Sequence, residues 1–71
     1  MKAIVKSIGS KYSYFDYDFK VGEEFDVSTF TEAKDIKLGR MFKICVPGIG
    51  TELFWENNCS ELGGGNWELV E

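Results

Sequence analysis

Short runs of alternating apolar and polar residues, separated by turn-forming residues, recur along this chain, and that rhythm predicts β-strands. Lys2 to Ile8 carries β-branched residues and stops at Gly9-Ser10, which marks a first strand. In Phe15-Asp16-Tyr17-Asp18-Phe19, ring and carboxylate alternate with period two, so three rings share one face and two carboxylates the other. Val21-Gly22-Glu23-Glu24 reads as a turn into a second strand, Glu24 to Ser28, with Phe25 and Val27 on one side and Glu24 and Asp26 on the other. Arg40 to Val46 resumes the pattern, setting Phe42, Ile44 and Val46 against Met41, Lys43 and Cys45. Apolar residues on both faces predict a central strand. In Pro47-Gly48-Ile49-Gly50 the proline fixes φ and the glycines admit positive φ, so residues 40–46 and 51–56 should form a hairpin. Asn66 to Val70, behind Gly63-Gly64-Gly65, is a last short strand.

Two segments break the rhythm. Thr29-Phe30-Thr31-Glu32 fits a capping box, Gly39 suits the left-handed end of a helix, and Phe30, Ala33 and Ile36 lie near one helical face. A helix of eight or nine residues therefore competes over 29–38 with a long loop between strands. Glu56 to Leu62 is polar and Asn-rich, the look of a single helical turn carrying one apolar plug, Leu62.

With 71 residues there is room for one domain and one thin core, since a chain this short buries only about 60% of its unfolded surface. Six Phe, three Tyr and two Trp raise the aromatic share to 15%, which rules out a disordered tail and puts ring packing in the place of disulfides or metal as the source of stability.

Charge narrows the function classes. The net charge is −4, distributed as +3 over residues 1–11, −4 over 16–26, +2 over 32–43 and −5 over 52–71. No basic patch emerges, and phosphate neutralisation is what gives nucleic-acid affinity, so direct nucleic-acid binding is not expected. There is no histidine, and Cys45 and Cys59 lack Cys-x-x-Cys partners, so no zinc site and no cofactor are expected. Asp16, Asp18, Glu23, Glu24 and Asp26 lack the spacing of a calcium loop and read as a solvated acidic face. Gly48-x-Gly50 and Gly63-Gly64-Gly65 precede no helix and carry no lysine where a phosphate cradle needs one; both read as turns. Catalysis would need a cleft that so small a domain rarely encloses, so no enzyme is expected. The start, interrupted at Lys2 and Lys6, does not fit a signal segment, and no apolar run approaches the ~20 residues of a spanning helix. A cytoplasmic location with reduced thiols is the expectation, with Cys59 inert between Glu56 and Glu61.

The order of elements, and several segments, resemble the Src-homology-3-like barrels. Tyr14-Phe15-Asp16-Tyr17 is similar to the family's Ala-Leu-Tyr-Asp-Tyr signature, and Phe19-Lys20-Val21-Gly22-Glu23-Glu24-Phe25-Asp26-Val27 to its Phe-Lys-Lys-Gly-Asp entry into a strand. Phe54-Trp55 and the turn at Asn57 to Leu62 occupy the place of its last strands. The family's Trp-Trp pair is replaced by Arg40-Met41-Phe42-Lys43, and Asn57-Asn58-Cys59 stands where its helical-turn Pro and Tyr belong, which argues against a receptor for proline-rich peptides. The lysine-rich start, the Val21 to Val27 strand entry and the apolar plug look more like very small barrels of bacteriophages and bacteria. That resemblance implies a mainly β, five-stranded barrel with a short helical turn, spanning residues 1–71 as a single domain, and a role in binding host or defence proteins.

The segment Tyr12 to Phe19 carries the candidate site. Phe15 and Phe19 are expected in the core. Tyrosine differs because its hydroxyl needs a partner or water, so Tyr12, Tyr14 and Tyr17 should pack their rings and hold their oxygens near the surface. Aromatics at the rim of an acidic surface suit a basic partner, which makes Tyr12, Tyr14, Asp16, Tyr17, Asp18, Glu24 and Trp55 the candidate contacts, with core packing as the competing role for the rings. Trp67, beside the glycines, either seals the core or lines the same surface.

Three functions are compatible with these residues. The first is a non-enzymatic protein-binding module, a phage-type inhibitor or modulator that presses its acidic tyrosine-edged face onto a basic host or defence protein. The second is an acidic nucleic-acid mimic that blocks a DNA-binding enzyme, for which −4 over 71 residues is a low charge density. The third is a sponge that captures a small ligand such as a nucleotide between Trp55, Trp67 and the glycine turns. No membrane partner is expected, and the chain should be a monomer or a homodimer formed through strand edges.

Overall fold

The computed structural model describes all 71 residues. Five strands, β1 (Lys2–Ser7), β2 (Glu24–Asp35), β3 (Gly39–Val46), β4 (Gly50–Trp55) and β5 (Asn66–Val70), form one antiparallel sheet in the order β4-β3-β2-β1-β5. The only helical element is a 3₁₀ turn at Ser60–Leu62. No helix is long and apolar enough to cross a membrane.

The long strand β2 organises the sheet, because its two halves serve different partners. Residues 24–26 pair with β1, and residues 27–35 pair with β3. β3 is central, as its two-faced apolar pattern predicts, and the β3–β4 hairpin runs in unbroken register from Met41 opposite Trp55 to Val46 opposite Gly50. β4 and β5 are the sheet's edges. They approach at one end, where the Trp67 N–H donates to the Glu56 carbonyl at 2.7 Å and Cys59 bridges Gly65.

Residues 29–38 correct the reading of a helix or long loop. They continue β2 as far as Asp35 and then turn tightly through Ile36–Leu38 into β3. Gly39 does hold a left-handed φ of 77°, but as the exit of a hairpin turn rather than as a helix end. Asp35 holds that turn. Its Oδ1 accepts the backbone N–H groups of Lys37 and Leu38 at 2.8 and 3.0 Å, and these bonds hold its carboxyl below the usual range.

Alternation along the strands loads one side of the sheet. Ala3 and Val5, Phe25, Phe42 with Ile44 and Val46, Phe54, and Trp67 all point into a single core that Leu62 plugs from the 3₁₀ turn. Trp67 is 3% exposed and therefore seals the core, which decides between its two predicted roles. Its ring centroid lies 5.5 Å from that of Phe19, 5.6 Å from Phe42 and 5.4 Å from Phe54, the first two nearly perpendicular.

Candidate functional site

The connection from β1 to β2 is long, but backbone bonds fix both of its ends. At the base, Gly9 N–H donates to the Leu62 carbonyl and Lys11 N–H to the Gly63 carbonyl, each at 2.9 Å, and the Ser13 hydroxyl reaches the Glu61 carbonyl at 3.2 Å. At the return, Gly22 N–H donates to Val5 at 2.8 Å and Lys20 N–H to Glu23 Oε1 at 3.1 Å. The base is tight enough that a Cβ on Gly9 would overlap the Gly63 carbonyl, so glycine there serves close packing.

Between these anchors exposure alternates with period two, as predicted for Phe15 to Phe19, and the alternation extends back to Tyr12. Ser13, Phe15, Tyr17 and Phe19 turn inward, while Tyr12, Tyr14, Asp16 and Asp18 form an outward row. Phe15 and Phe19 stack with centroids 5.8 Å apart, and Phe15 meets Phe54 edge-on at the same distance. Phe19 is buried and Phe15 half-buried.

The three tyrosines separate. Tyr17 fits its expectation: its ring packs 4.7 Å from Phe19 and its hydroxyl donates to a Glu23 carboxylate oxygen. That bond raises the Tyr17 pKa, assisted by desolvation and by the negative charges of Glu23 and Asp18. Tyr12 and Tyr14 depart from it, being 90% and 71% exposed, so their rings are open to solvent rather than packed. Alternation explains the split, since even-numbered residues of this segment face away from the core.

Of the seven predicted contacts, Tyr12, Tyr14, Asp16 and Asp18 are exposed along this loop; Tyr14 borders one groove and Asp16 and Asp18 another. Asp18 is paired with Lys20 at 2.5 Å, which raises the lysine pKa, whereas Asp16 has no cationic partner. Tyr17 lies on the inner side of the same loop. Glu24 is exposed opposite Ile4 of β1, and Trp55 is half-buried opposite Met41 of β3; neither lines a groove beside the tyrosine row.

Two grooves flank the loop. One, of about 340 Å³, lies between Ile8, Lys11 and Glu61 and the loop residues Ser13, Asp16, Tyr17 and Asp18. The other, of about 530 Å³, lies between Tyr14 and Phe15 on one bank and Thr51, Glu52 and Leu53 of β4 on the other, with Lys43 and Glu61 also lining it. The β4 bank lies outside the contacts predicted from the sequence. Its signal was present in Leu53, which alternation sends outward because Phe54 faces the core.

No group of three or more His, Cys, Asp or Glu gathers in a way that could hold a metal ion. Cys59 is buried, receives the Trp67 indole N–H at 3.4 Å, and has its thiol pushed up by burial; Cys45 is exposed, and both are free thiols. In comparisons with known proteins, no family model, no curated protein and no solved structure matches this chain.

Proposed function

We propose that this protein is a non-enzymatic binding module that modulates or inhibits a partner with a basic surface, through the outward row Tyr12, Tyr14, Asp16 and Asp18. The observation that carries this reading is the exposure of two whole tyrosine rings next to two carboxylates, on a loop whose ends are fixed by backbone bonds. Large exposed aromatics held on an ordered segment lose little entropy when covered, and adjoining negative charge selects a cationic partner. The strand order, the long β1–β2 connection and the 3₁₀ turn before the last strand support reading the fold as a Src-homology-3-like barrel. The resemblance of the sequence to small phage and bacterial barrels directs the reading to a host or defence protein as the target.

The test is capture from bacterial lysate on the immobilised protein, run beside Tyr12→Ala/Tyr14→Ala and Asp16→Asn/Asp18→Asn baits. A protein retained by the parent bait, released by raised salt and lost on both variants supports the reading. A protein retained equally by all three baits overturns it. Loss on the carboxylate variant alone would mean that charge, as in a nucleic-acid mimic, is what the partner reads.

A further inference from the structure

The β4 strand ends the sheet and pairs with β3 alone. Natural edge strands are shielded by lysine, proline, bulges or a covering element. β4, Gly50-Thr51-Glu52-Leu53-Phe54-Trp55, contains no lysine or proline and pairs with β3 without a register shift, whereas the β2–β3 and β1–β5 pairings are both interrupted. The Glu56 N–H donates to the Arg40 carbonyl at 3.0 Å, so in this register Phe54 and Glu52 also turn their backbone groups toward β3. The N–H and C=O groups of Thr51, Leu53 and Trp55 are left facing outward, and no hydrogen bond within the chain reaches that side of the strand. The edge is capped just beyond, where Trp67 takes the Glu56 carbonyl.

A groove adjoins this same edge. Thr51, Glu52 and Leu53 all line it, and it reaches inward to Lys43, the residue paired with Leu53 on β3. Its other bank is Tyr14 and Phe15, and its charged lining, Glu52 and Glu61 against Lys43, is net negative.

We propose that the β4 edge receives an extended segment of the partner as a sixth, added strand, with a lysine or arginine of that segment reaching Glu52 and Glu61 and an apolar side chain seated between Tyr14 and Leu53. Main-chain pairing supplies affinity in such additions, and alternate side chains supply selectivity. The proposal takes the basic character of the partner from the reading above. A second copy of this chain fits the edge less well, because it would bring a further Glu52 to a groove that is already negative.

The test uses the full ¹⁵N-labelled chain and a capped peptide of alternating valine and lysine as probe. Binding should slow exchange of the Thr51, Leu53 and Trp55 amides by about tenfold or more. Methylating alternate peptide nitrogens, which removes their N–H donors without touching the protein, should weaken binding by about tenfold, the equivalent of about 1.4 kcal/mol. Glu52→Lys should weaken it comparably. Equal binding by the methylated peptide overturns the proposal, as does protection of those amides by self-association in the absence of peptide. Shifts confined to Tyr12–Asp18 also overturn strand addition, while leaving the tyrosine row as the binding surface.

Discussion

The Tyr17 hydroxyl donates to the carboxylate of Glu23, the residue at which the β1–β2 loop returns to the sheet. The same carboxylate accepts the Lys20 backbone N–H, so one side chain closes the end of the loop that displays the tyrosine row. Because the bond favours the protonated phenol, the folded-state pKa lies above the unfolded one. Its contribution is complete below about pH 10 and is lost as pH rises through the elevated value. In a Tyr12→Phe/Tyr14→Phe background, where Tyr17 is the remaining phenol, ultraviolet titration should give a midpoint above about 10, and Glu23→Gln should bring it down. A midpoint unmoved by Glu23→Gln would show that the bond does not form in solution.

Phe19 is the ring that ties this loop to the core. It stacks on Phe15, meets Tyr17, Phe25, Phe54 and Trp67 edge-on, and is 5% exposed. Phe19→Ala should cost about 3–5 kcal/mol, comparable to the whole stability of a domain this size, so the variant should lack a cooperative thermal transition. Phe19→Leu retains most of the volume and should melt cooperatively at a lower temperature. An alanine variant that melts like the parent would remove Phe19 from the core.

The faces of Phe15 to Phe19 were legible because ring and carboxylate alternate there without interruption; at Tyr14-Phe15 two rings adjoin and the phase reverses, which hid the exposure of Tyr12 and Tyr14. The β3–β4 hairpin was legible because Pro47 and its glycines mark the turn of an unbroken register. The second half of β2 was not legible. Its register with β3 shifts between Val27 and Thr29 and again between Phe30 and Lys34, which erases the period-two signal. Phe30 and Ile36, whose spacing imitates a helix, are exposed, so their periodicity records no buried face. The β4 edge was hidden for a different reason. Whether a strand lies at an edge depends on topology, and no local pattern encodes it.

Arg40 and Glu56 join the entry to β3 to the exit from β4. Glu56 Oε1 accepts both the Arg40 backbone N–H at 2.9 Å and its Nε–H at 3.0 Å, while Oε2 accepts Nη2 at 3.2 Å. The guanidinium also lies 5.5 Å from the centre of the Phe30 ring. These bonds hold the Glu56 carboxyl below its usual range, so the pair stabilises the fold fully above about pH 4.3 and progressively less as pH falls through the lowered value. Solvent reaches 42% of the arginine side chain, which limits Glu56→Gln to a loss of about 1 kcal/mol at neutral pH. Urea midpoints of parent and variant should converge on acidification; a constant gap would assign the loss to packing.

The two thiols should differ sharply in reactivity. Cys45 is exposed on β3, while Cys59 is 1% exposed beneath Trp67 with its thiol pushed up by burial. A chromogenic disulfide reagent should therefore label Cys45 quickly in the native protein and Cys59 only in denaturant. Cys45→Ser should abolish the fast phase. Rapid native labelling of both would mean that the glycine-rich segment over Cys59 opens readily.

Glycine substitutions separate two kinds of backbone requirement. Gly48 has a φ of 79° in the β3–β4 turn, with nothing within 4 Å of the position a Cβ would take, so Gly48→Ala meets conformational strain alone, about 1 kcal/mol. Gly65 has no such φ, but its Cβ would overlap the Ser7 carbonyl and stand 2.9 Å from the Ile8 Cα. Backbone cannot rotate aside as a side chain can, and the overlap falls where β1 and β5 already shift register between Val5 and Ser7. Gly65→Ala should accordingly cost about 2 kcal/mol or more and lower the denaturant midpoint further than Gly48→Ala. The reverse order would mean that the β1–β5 seam yields more easily than the hairpin turn, and the base of the tyrosine loop, which hangs from Leu62 and Gly63, would then be the softer part of the molecule.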